Sequence, residues 1–202
     1  MIYTKEFQKL LIKAKSLTGM SLGECYDYFE KMEPIALALV KEKIVGTRKG
    51  LSNEPNYMHS VRVYESVKSL HHWDDPDFEL FLAALLHDIV EDGKVSFEEL
   101  RQLDFTGRTL ELIHLCTHDT SIENKTERWT LMIANLIEAK DDEAWYIKLC
   151  DLADNLTQSH GLTEENRKFM REVKAPLMLR VTEKIDRRPY HYQLASTLES
   201  LK

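Results

Sequence analysis

The chain has 202 residues, of which 43% are hydrophobic and 30% charged, and its formal net charge at pH 7 is −7. This composition is that of an ordinary globular protein, and no apolar stretch approaches the ~20 residues of a membrane-spanning helix. A protein that grips nucleic acid along its phosphates carries a positive excess or a basic stripe, which is absent here. We therefore expect neither a nucleic-acid nor a membrane partner, while the oligomeric state stays unknown.

Apolar residues recur at spacings of three and four along most of the chain, as is typical of amphipathic helices. One helix is expected at residues 35–45. Residues 61–70 suit a strand or a helix by residue type, but their spacing favours a helix. Residues 78–90 form the most hydrophobic predicted helix. Further helices are predicted at residues 7–17, 95–103 with Ser96 as N-cap, 107–117, 127–140, 142–159, and in the tail that begins at Thr163.

The predicted fold class is all-α. The sequence has only seven glycines and five prolines, and no alternating runs are joined by Asn-Gly or Asp-Gly, as paired strands would be. No internal repeat or convincing linker divides the chain, so we expect a single domain over residues 1–202. The cysteines, Cys25, Cys116 and Cys150, form no Cys-x-x-Cys pair. We interpret them as free thiols in a reducing compartment and expect a cytoplasmic location.

The segment ALLHDIVED, residues 84–92, places His87, Asp88, Glu91 and Asp92 at the end of the most hydrophobic helix. Three carboxylates there oppose the helix dipole and repel each other. Such a costly cluster is more typical of a functional site than of a solvated helix end, and a bound cation is the simplest compensation. The segment therefore predicts a metal site.

Two other segments offer further ligands. His59 stands at the start of an amphipathic helix, where a lone histidine is more often a cap or a surface residue. Asp151 lies among apolar neighbours, where an unpaired carboxylate would cost several kcal/mol, roughly, or become neutral. Asn155 projects from the same helix face, whereas Asp154 is interpreted as a surface charge. The predicted metal ligands are His59, His87, Asp88 and Asp151.

Four segments resemble the HD-domain metal phosphohydrolases, and in particular the hydrolase domain of the RelA/SpoT family, which degrades the alarmones ppGpp and pppGpp. They are GTRKG (46–50), EPNYMH (54–59), ALLHDIVED (84–92) and KLCDLADNL (148–156). The HDxxED element is the discriminating one, because many HD phosphohydrolases lack the ED. The resemblance covers roughly residues 35–160, leaving the helices of 1–33 and 161–202 less clearly covered. It implies a single HD-type helical bundle that looks like a stand-alone small alarmone hydrolase.

Two imidazoles and two carboxylates suit a first-row divalent ion, with Mn²⁺, Fe²⁺, Co²⁺ or Zn²⁺ as candidates. The resemblance implies Mn²⁺. Such an ion acidifies water and neutralises charge on a phosphoryl oxygen. Glu91 and Asp92, one turn beyond the ligands, are the predicted catalytic residues that orient or deprotonate the water. The implied reaction releases pyrophosphate from the 3′ position and leaves GDP or GTP.

The expected partner is a small nucleotide. Arg48 and Lys49 are predicted to contact it, with the planar guanidinium of Arg48 near the base, and Asn155 to contact the sugar or a phosphate. For three further cations we favour solvated surface charges over phosphate contacts: Lys125, Arg128 and Lys148.

Two alternatives to the alarmone hydrolase stay open. One is an HD phosphohydrolase that acts on another nucleotide, such as a nucleoside monophosphate or a dinucleotide cofactor. Asn56 interrupts the family's Pro-Tyr pair, and Thr157 and Gln158 replace the Arg and Thr that often follow the residue matching Asn155. These departures leave the hypothesis of another nucleotide substrate open. The other is a non-catalytic nucleotide-binding module, against which the intact HD, ED and Asp–Asn set argues.

Overall fold

The structure, a computed structural model, describes residues 3–48, 53–71, 76–184 and 188–201. Within these ranges the chain is helical and contains no β-strand, only two isolated β-bridges that pair Lys15 with Thr106 and Thr47 with Pro55. The predicted all-α class is therefore confirmed. No helix in these ranges is long and apolar enough to cross a membrane.

The helices follow one another with short connections. They are α1 (Lys5–Lys13), α2 (Leu22–Lys43), α3 (Tyr57–Leu70), α4 (Phe78–Leu86), α5 (Phe97–Gln102), α6 (Gly107–Cys116), α7 (Lys125–Ala139), α8 (Asp142–Thr157), a 3₁₀ turn (Ser159–Gly161), α9 (Glu164–Phe169), a π-helical segment (Met170–Lys174), α10 (Ala175–Val181) and α11 (Arg188–Ser200).

Local sequence signals explain several helix starts. The side chain of Ser96 accepts a hydrogen bond from the backbone N–H of Glu99, whose carboxylate bonds back to Ser96, so the predicted N-cap is confirmed as a capping box. Thr163 caps α9 in the same region where the sequence predicts a helix start. Residues 61–70 are helical, as their spacing favours.

Two predicted boundaries are wrong. The predicted helix 35–45 is not separate. Residues 35–43 form the second half of α2, which runs through Pro34 without a break and ends at Lys43. The predicted helix 78–90 ends at Leu86, and residues 87–92 form turns. The backbone passes very close to itself at Gly93. A Cβ atom there would lie 2.6 Å from the carbonyl oxygen of Ile89, so only glycine fits at this position.

The two most buried helices lie side by side at the centre. Every residue of α4 except Glu79 is buried, and α4 packs against α2, α3, α6 and α8. Helix α8 also packs against α11, where the ring of Tyr146 stacks on that of Tyr190 at a centroid distance of 4.4 Å. Polar side chains at the end of α4 and on α8 are therefore carried into the interior, next to α3.

Residues 164–181 form one continuous helical rod made of α9, the π-helical segment and α10. The backbone N–H of Ala175 donates to the carbonyl of Met170, five residues back, which is the hydrogen-bond pattern of a π-helix. The π-helical segment packs against α8, so it lies beside the same polar side chains.

Candidate functional site

The four predicted metal ligands lie together. His59 is the third residue of α3, His87 and Asp88 follow α4 directly, and Asp151 lies in α8. The Nε2 atom of His59 is 3.1 Å from Asp151 Oδ1 and 3.6 Å from Asp88 Oδ2. The Nε2 atom of His87 is 3.2 Å from Asp88 Oδ2 and 4.0 Å from Asp151 Oδ1. Both imidazoles therefore direct the same nitrogen at the same two carboxylates.

His87 has the orientation of a ligand. Its Nδ1 donates a hydrogen bond of 2.9 Å to the carbonyl oxygen of Ala84, which fixes that hydrogen on Nδ1. Its Nε2 is fully buried and has no hydrogen-bond partner. Buried polar atoms are seldom left unpaired, and a lone pair of this kind facing two carboxylates suits a cation between them.

His59 is held from behind by Asp154. The His59 Nδ1–H donates to Asp154 Oδ2 at 2.7 Å, and the guanidinium of Arg62 bonds to both oxygens of Asp154, at 2.6 and 3.1 Å. The side chain of Asp154 is only 8% exposed, so its interpretation as a surface charge is wrong. Residues three apart are neighbours on a helix, and Asp154 follows Asp151 by three. That spacing was the available signal.

Burial and charge pairing oppose each other in this cluster. Burial alone would lower the pKa of His59, but hydrogen bonds to Asp151 and Asp154 raise it to about 9. Burial would raise the pKa of Asp151 and Asp88, but Lys148 and the histidines hold the pKa of Asp151 well below its usual range, and the histidines also lower the pKa of Asp88. Without an ion, the protonated ring of His59 supplies positive charge between the carboxylates that a bound metal would replace.

Lys148 is buried, at 5% exposure, and its Nζ contacts Asp151 Oδ2. Burial alone would lower its pKa, but the Asp151 carboxylate raises it. The interpretation of Lys148 as a solvated charge is therefore wrong. Lys125 is exposed, as expected, and the guanidinium of Arg128 bonds to the carbonyl of Ile122.

The cluster fits a divalent metal ion. Ligand atoms of His59, His87 and Asp88 all lie within 4.8 Å of one another, and Asp151 Oδ1 borders the same space. Imidazole nitrogens with carboxylate oxygens are the donor set that first-row divalent ions take. These residues form a candidate divalent-metal site.

Glu91 and Asp92 lie beside this site in different settings. Glu91 Oε1 accepts hydrogen bonds from the backbone N–H of His118 at 2.6 Å and from its Nδ1 at 2.9 Å. Asp92 lies at the cleft edge and is exposed overall, but partial burial of its carboxylate, with the charges of Asp88 and Glu91, raises its pKa. His118 was not among the predicted site residues, although the His-Asp pair at 118–119 was a signal.

The predicted substrate residues are linked to the metal ligands. Arg48 Nη2 donates to Asn155 Oδ1 at 2.9 Å, and Asn155 Nδ2 donates to Asp151 Oδ1 at 2.5 Å. A chain of hydrogen bonds thus runs from the guanidinium to the candidate metal site. Lys49 lies outside the described residues.

These groups border one cleft of about 260 Å³. One side, the metal wall, consists of His59, Asp88 and Asp151 with the buried His87 behind them. The other side, the apolar wall, consists of Trp129, Met170, Lys174 and Met178. The cleft shares Arg48 with two smaller hollows. Typical small-molecule sites measure ~300–1,000 Å³, so a large ligand would extend from the cleft into a hollow.

Comparisons with known proteins agree with this geometry. No family model matches the chain. A guanosine-3′,5′-bis(diphosphate) 3′-pyrophosphohydrolase of Aquifex aeolicus (strain VF5) is 31% identical over 153 residues, which are 72% of this chain and 21% of that protein. The corresponding enzyme MESH1 of Drosophila melanogaster is 40% identical over 96 residues, which are 45% of this chain and 52% of MESH1. The chain thus spans about a fifth to a half of these curated relatives.

Among solved structures, that of a metazoan ortholog of SpoT that hydrolyzes ppGpp superposes with a TM-score of 0.69 at 26% identity. The match covers 83% of this chain and 94% of that chain. It therefore extends over the helical fold as a whole rather than over isolated motifs. In sequence and in fold, the chain resembles the SpoT-type ppGpp hydrolases, which confirms the resemblance that its motifs predict.

Proposed function

We propose that this chain is a metal-dependent hydrolase that removes the 3′-pyrophosphate of ppGpp and pppGpp, leaving GDP or GTP. The observation that carries the proposal is the buried, unpaired Nε2 of His87, which faces two carboxylates in a cleft that also contains Glu91. The names of the relatives support the substrate class. We propose Mn²⁺ as the ion and, because the cysteines are free, a cytoplasmic location.

His59, His87, Asp88 and Asp151 would hold the ion. When bound, a divalent ion supplies positive charge against a phosphoryl oxygen and makes water more acidic. Asp154 and the carbonyl of Ala84 each fix one imidazole so that Nε2 faces the cleft. This arrangement limits the reorganisation needed when the ion arrives.

Glu91 is the proposed general base. A water oxygen bonds to the phosphorus attached to the 3′ oxygen, the bond between that phosphorus and the 3′ oxygen breaks, and the water proton passes to Glu91. The 3′ oxygen takes a proton from solvent water and becomes the 3′ hydroxyl of GDP or GTP, pyrophosphate is released, and Glu91 returns its proton to solvent. Two hydrogen bonds from His118 fix the Glu91 carboxylate, and Asp92 lies at the edge of the same cleft.

Arg48 and Asn155 are the proposed nucleotide contacts, together with Lys49. The half-buried guanidinium of Arg48 lies between the cleft and the two hollows, where a base can stack on its plane. The hydrogen bond from Asn155 to Asp151 ties nucleotide position to the metal site.

The test is an assay of the purified, Mn²⁺-loaded chain with ppGpp in which pyrophosphate and orthophosphate are measured separately. We expect pyrophosphate and GDP in equal amounts. Glu91→Gln protein, purified in parallel, controls for contaminating phosphatases. If the wild-type chain leaves ppGpp intact, the proposal is wrong.

A second candidate is hydrolysis of another nucleotide by the same metal site. The observation that favours it is Asn56, which departs from the family pattern and lies beside Arg48 in both hollows. Its side-chain amide donates to the carbonyl of Val45 at 2.8 Å, so it shapes the nucleotide end of the cleft. Cleavage of a nucleoside monophosphate, with ppGpp untouched, would establish this candidate instead.

A further inference from the structure

Lys174 is a cation of the apolar wall to which the mechanism assigns no role. It ends the π-helical segment, and its Nζ lies 5.3 Å from the ring centroid of Trp129 and 5.7 Å from that of Phe169. Within the described residues it forms no ion pair. Lys148, by contrast, is paired with Asp151 in the same cleft.

The surroundings of Lys174 are unfavourable for a cation without a counterion. Burial and the positive charge of Lys148 lower its pKa, and the carboxylates of Asp151 and Glu91 offset only part of this effect. The faces of Trp129 and Phe169 offset part of this cost, because a cation over an aromatic ring gains ~0.5–2 kcal/mol. An anion in the cleft would remove the rest, since it would pair with Lys174 and weaken the repulsion from Lys148.

The two ends of the cleft differ in the groups they offer. Arg48 and Asn155 border the hollow that also contains Gln158 and Leu162, which suits a nucleoside. Lys174 and Lys148 border the main cleft beside the metal wall. A ligand that reaches the metal site from the Arg48 end would therefore place its terminal anionic group toward the lysines.

We propose that Lys174, on its platform of Trp129 and Phe169, is the phosphate-binding residue for the pyrophosphate group that is removed from the substrate. This proposal rests on the proposed function and adds a specificity-determining residue to it. It explains how a chain of net charge −7 holds a group with several negative charges next to Asp88 and Asp151. It also assigns a role to the C-terminal helices, which the sequence resemblance covers least.

The test uses inorganic pyrophosphate as the probe and calorimetry of the full Mn²⁺-loaded chain as the readout. Lys174→Met removes the charge but keeps the aliphatic stem over Trp129. We expect it to weaken pyrophosphate binding ~10- to 100-fold, the range for loss of a charge-assisted hydrogen bond. Lys174→Arg keeps the charge and should restore most of the affinity.

The matched control is Lys168→Met, because Lys168 is exposed on the adjoining helix α9 and does not border the cleft. It should bind pyrophosphate as the wild type does, and circular dichroism should show that all three variants are folded. For ppGpp, Lys174→Met should raise KM, whereas Lys174→Arg should leave it near the wild-type value.

The outcomes separate this proposal from the proposed function. If Lys174→Met binds pyrophosphate as tightly as wild type while ppGpp is still hydrolysed, the phosphate-binding role is wrong and the hydrolase stands. If wild-type protein binds pyrophosphate through Lys174 but leaves ppGpp intact, the anion site stands and the alarmone substrate is wrong.

Discussion

The metal wall and the apolar wall face one cleft but are built in opposite ways. In the metal wall, hydrogen bonds and ion pairs hold the side chains in place: Asp154 orients His59, and Lys148 pairs with Asp151. In the apolar wall, Met170 and Met178 offer flexible thioether side chains, and Lys174 has no carboxylate partner among the described residues. Rigid hydrogen-bonded groups suit a ligand of fixed geometry, whereas methionines adapt to ligands of varied shape.

Because of this difference, substitutions in the two walls should have different effects. Because the metal wall is also buried and charge-paired, substitutions there should change metal binding and stability together. Substitutions in the apolar wall should change the affinity for the substrate and leave the metal site unchanged. The following predictions test that division, beginning with the largest expected effect.

Asp151→Asn should abolish both metal binding and turnover, because it removes a ligand charge. It should also destabilise the fold by about 3–5 kcal/mol, since Lys148 would keep a buried charge without its carboxylate. Metal titration by calorimetry and denaturant unfolding of the metal-free protein measure the two effects. Lys174→Met is the control and should bind metal normally; loss of metal in that variant would contradict the division between the walls.

Glu91→Gln should lower kcat ~10²- to 10⁴-fold, the usual cost of losing a general base, while metal affinity stays unchanged. Steady-state kinetics and metal titration on the same protein measure both. His118→Gln is the companion variant, because it leaves the Glu91 carboxylate but removes the imidazole hydrogen bond; its kcat should fall only about tenfold. A Glu91→Gln protein that has lost its metal would assign Glu91 to the ligands instead.

Asp154→Asn should weaken metal binding ~10- to 100-fold, because the carboxylate that orients His59 loses its charge. At saturating metal, kcat should return close to the wild-type value, since no group that contacts the substrate is altered. Metal dependence of the rate separates the two effects. A kcat that stays low at saturating metal would show that Asp154 does more than orient His59.

The metal-free protein should lose stability between about pH 6.5 and pH 9. The pKa of His59 is raised to about 9 from an ordinary 6.5, so its protonated ring stabilises the fold fully below pH 6.5 and this contribution disappears as the pH rises through 9. Thermal unfolding across this range should show Tm falling by roughly 5–10 °C. Saturating metal displaces the proton of His59, so the Tm of the metal-bound protein should not decrease over this pH range. The His59→Gln variant should also lack the decrease.

The sequence predicts three of the four proposed ligands from local signals, whereas His59 by itself carries none. His87 and Asp88 end an apolar run, and Asp151 interrupts another. Burying such polar side chains among apolar residues is unfavourable, and this can be recognised from the sequence alone. The same reasoning gives the all-α class, since periodicity reports burial along each helix. That residues 1–202 form a single domain stays a prediction.

The remaining parts depend on tertiary contacts. Lys174 and His118 reach the cleft from segments distant in sequence. Nothing in the immediate neighbours of Lys174 marks it, whereas His118 is followed by Asp119 and forms a second His-Asp pair. The end of α4 at Leu86 was missed because periodicity continues through Ile89, whereas the chain turns where Gly93 allows close backbone approach. Asp154 is different, because its spacing from Asp151 was sufficient to predict it.

The π-helical segment makes the position of Lys174 sensitive to chain length. A π-helix contains about one residue more than the α-helical turn it replaces, and each helical residue turns the chain by ~100°. Deleting a single residue within 170–174 would restore an ordinary turn and rotate α9 relative to α10 by that angle. Met170 and Lys174 could then no longer both border the cleft. A chain that lacks one residue here would therefore lose the proposed contact of Lys174 with the pyrophosphate group while every proposed metal ligand stays in place.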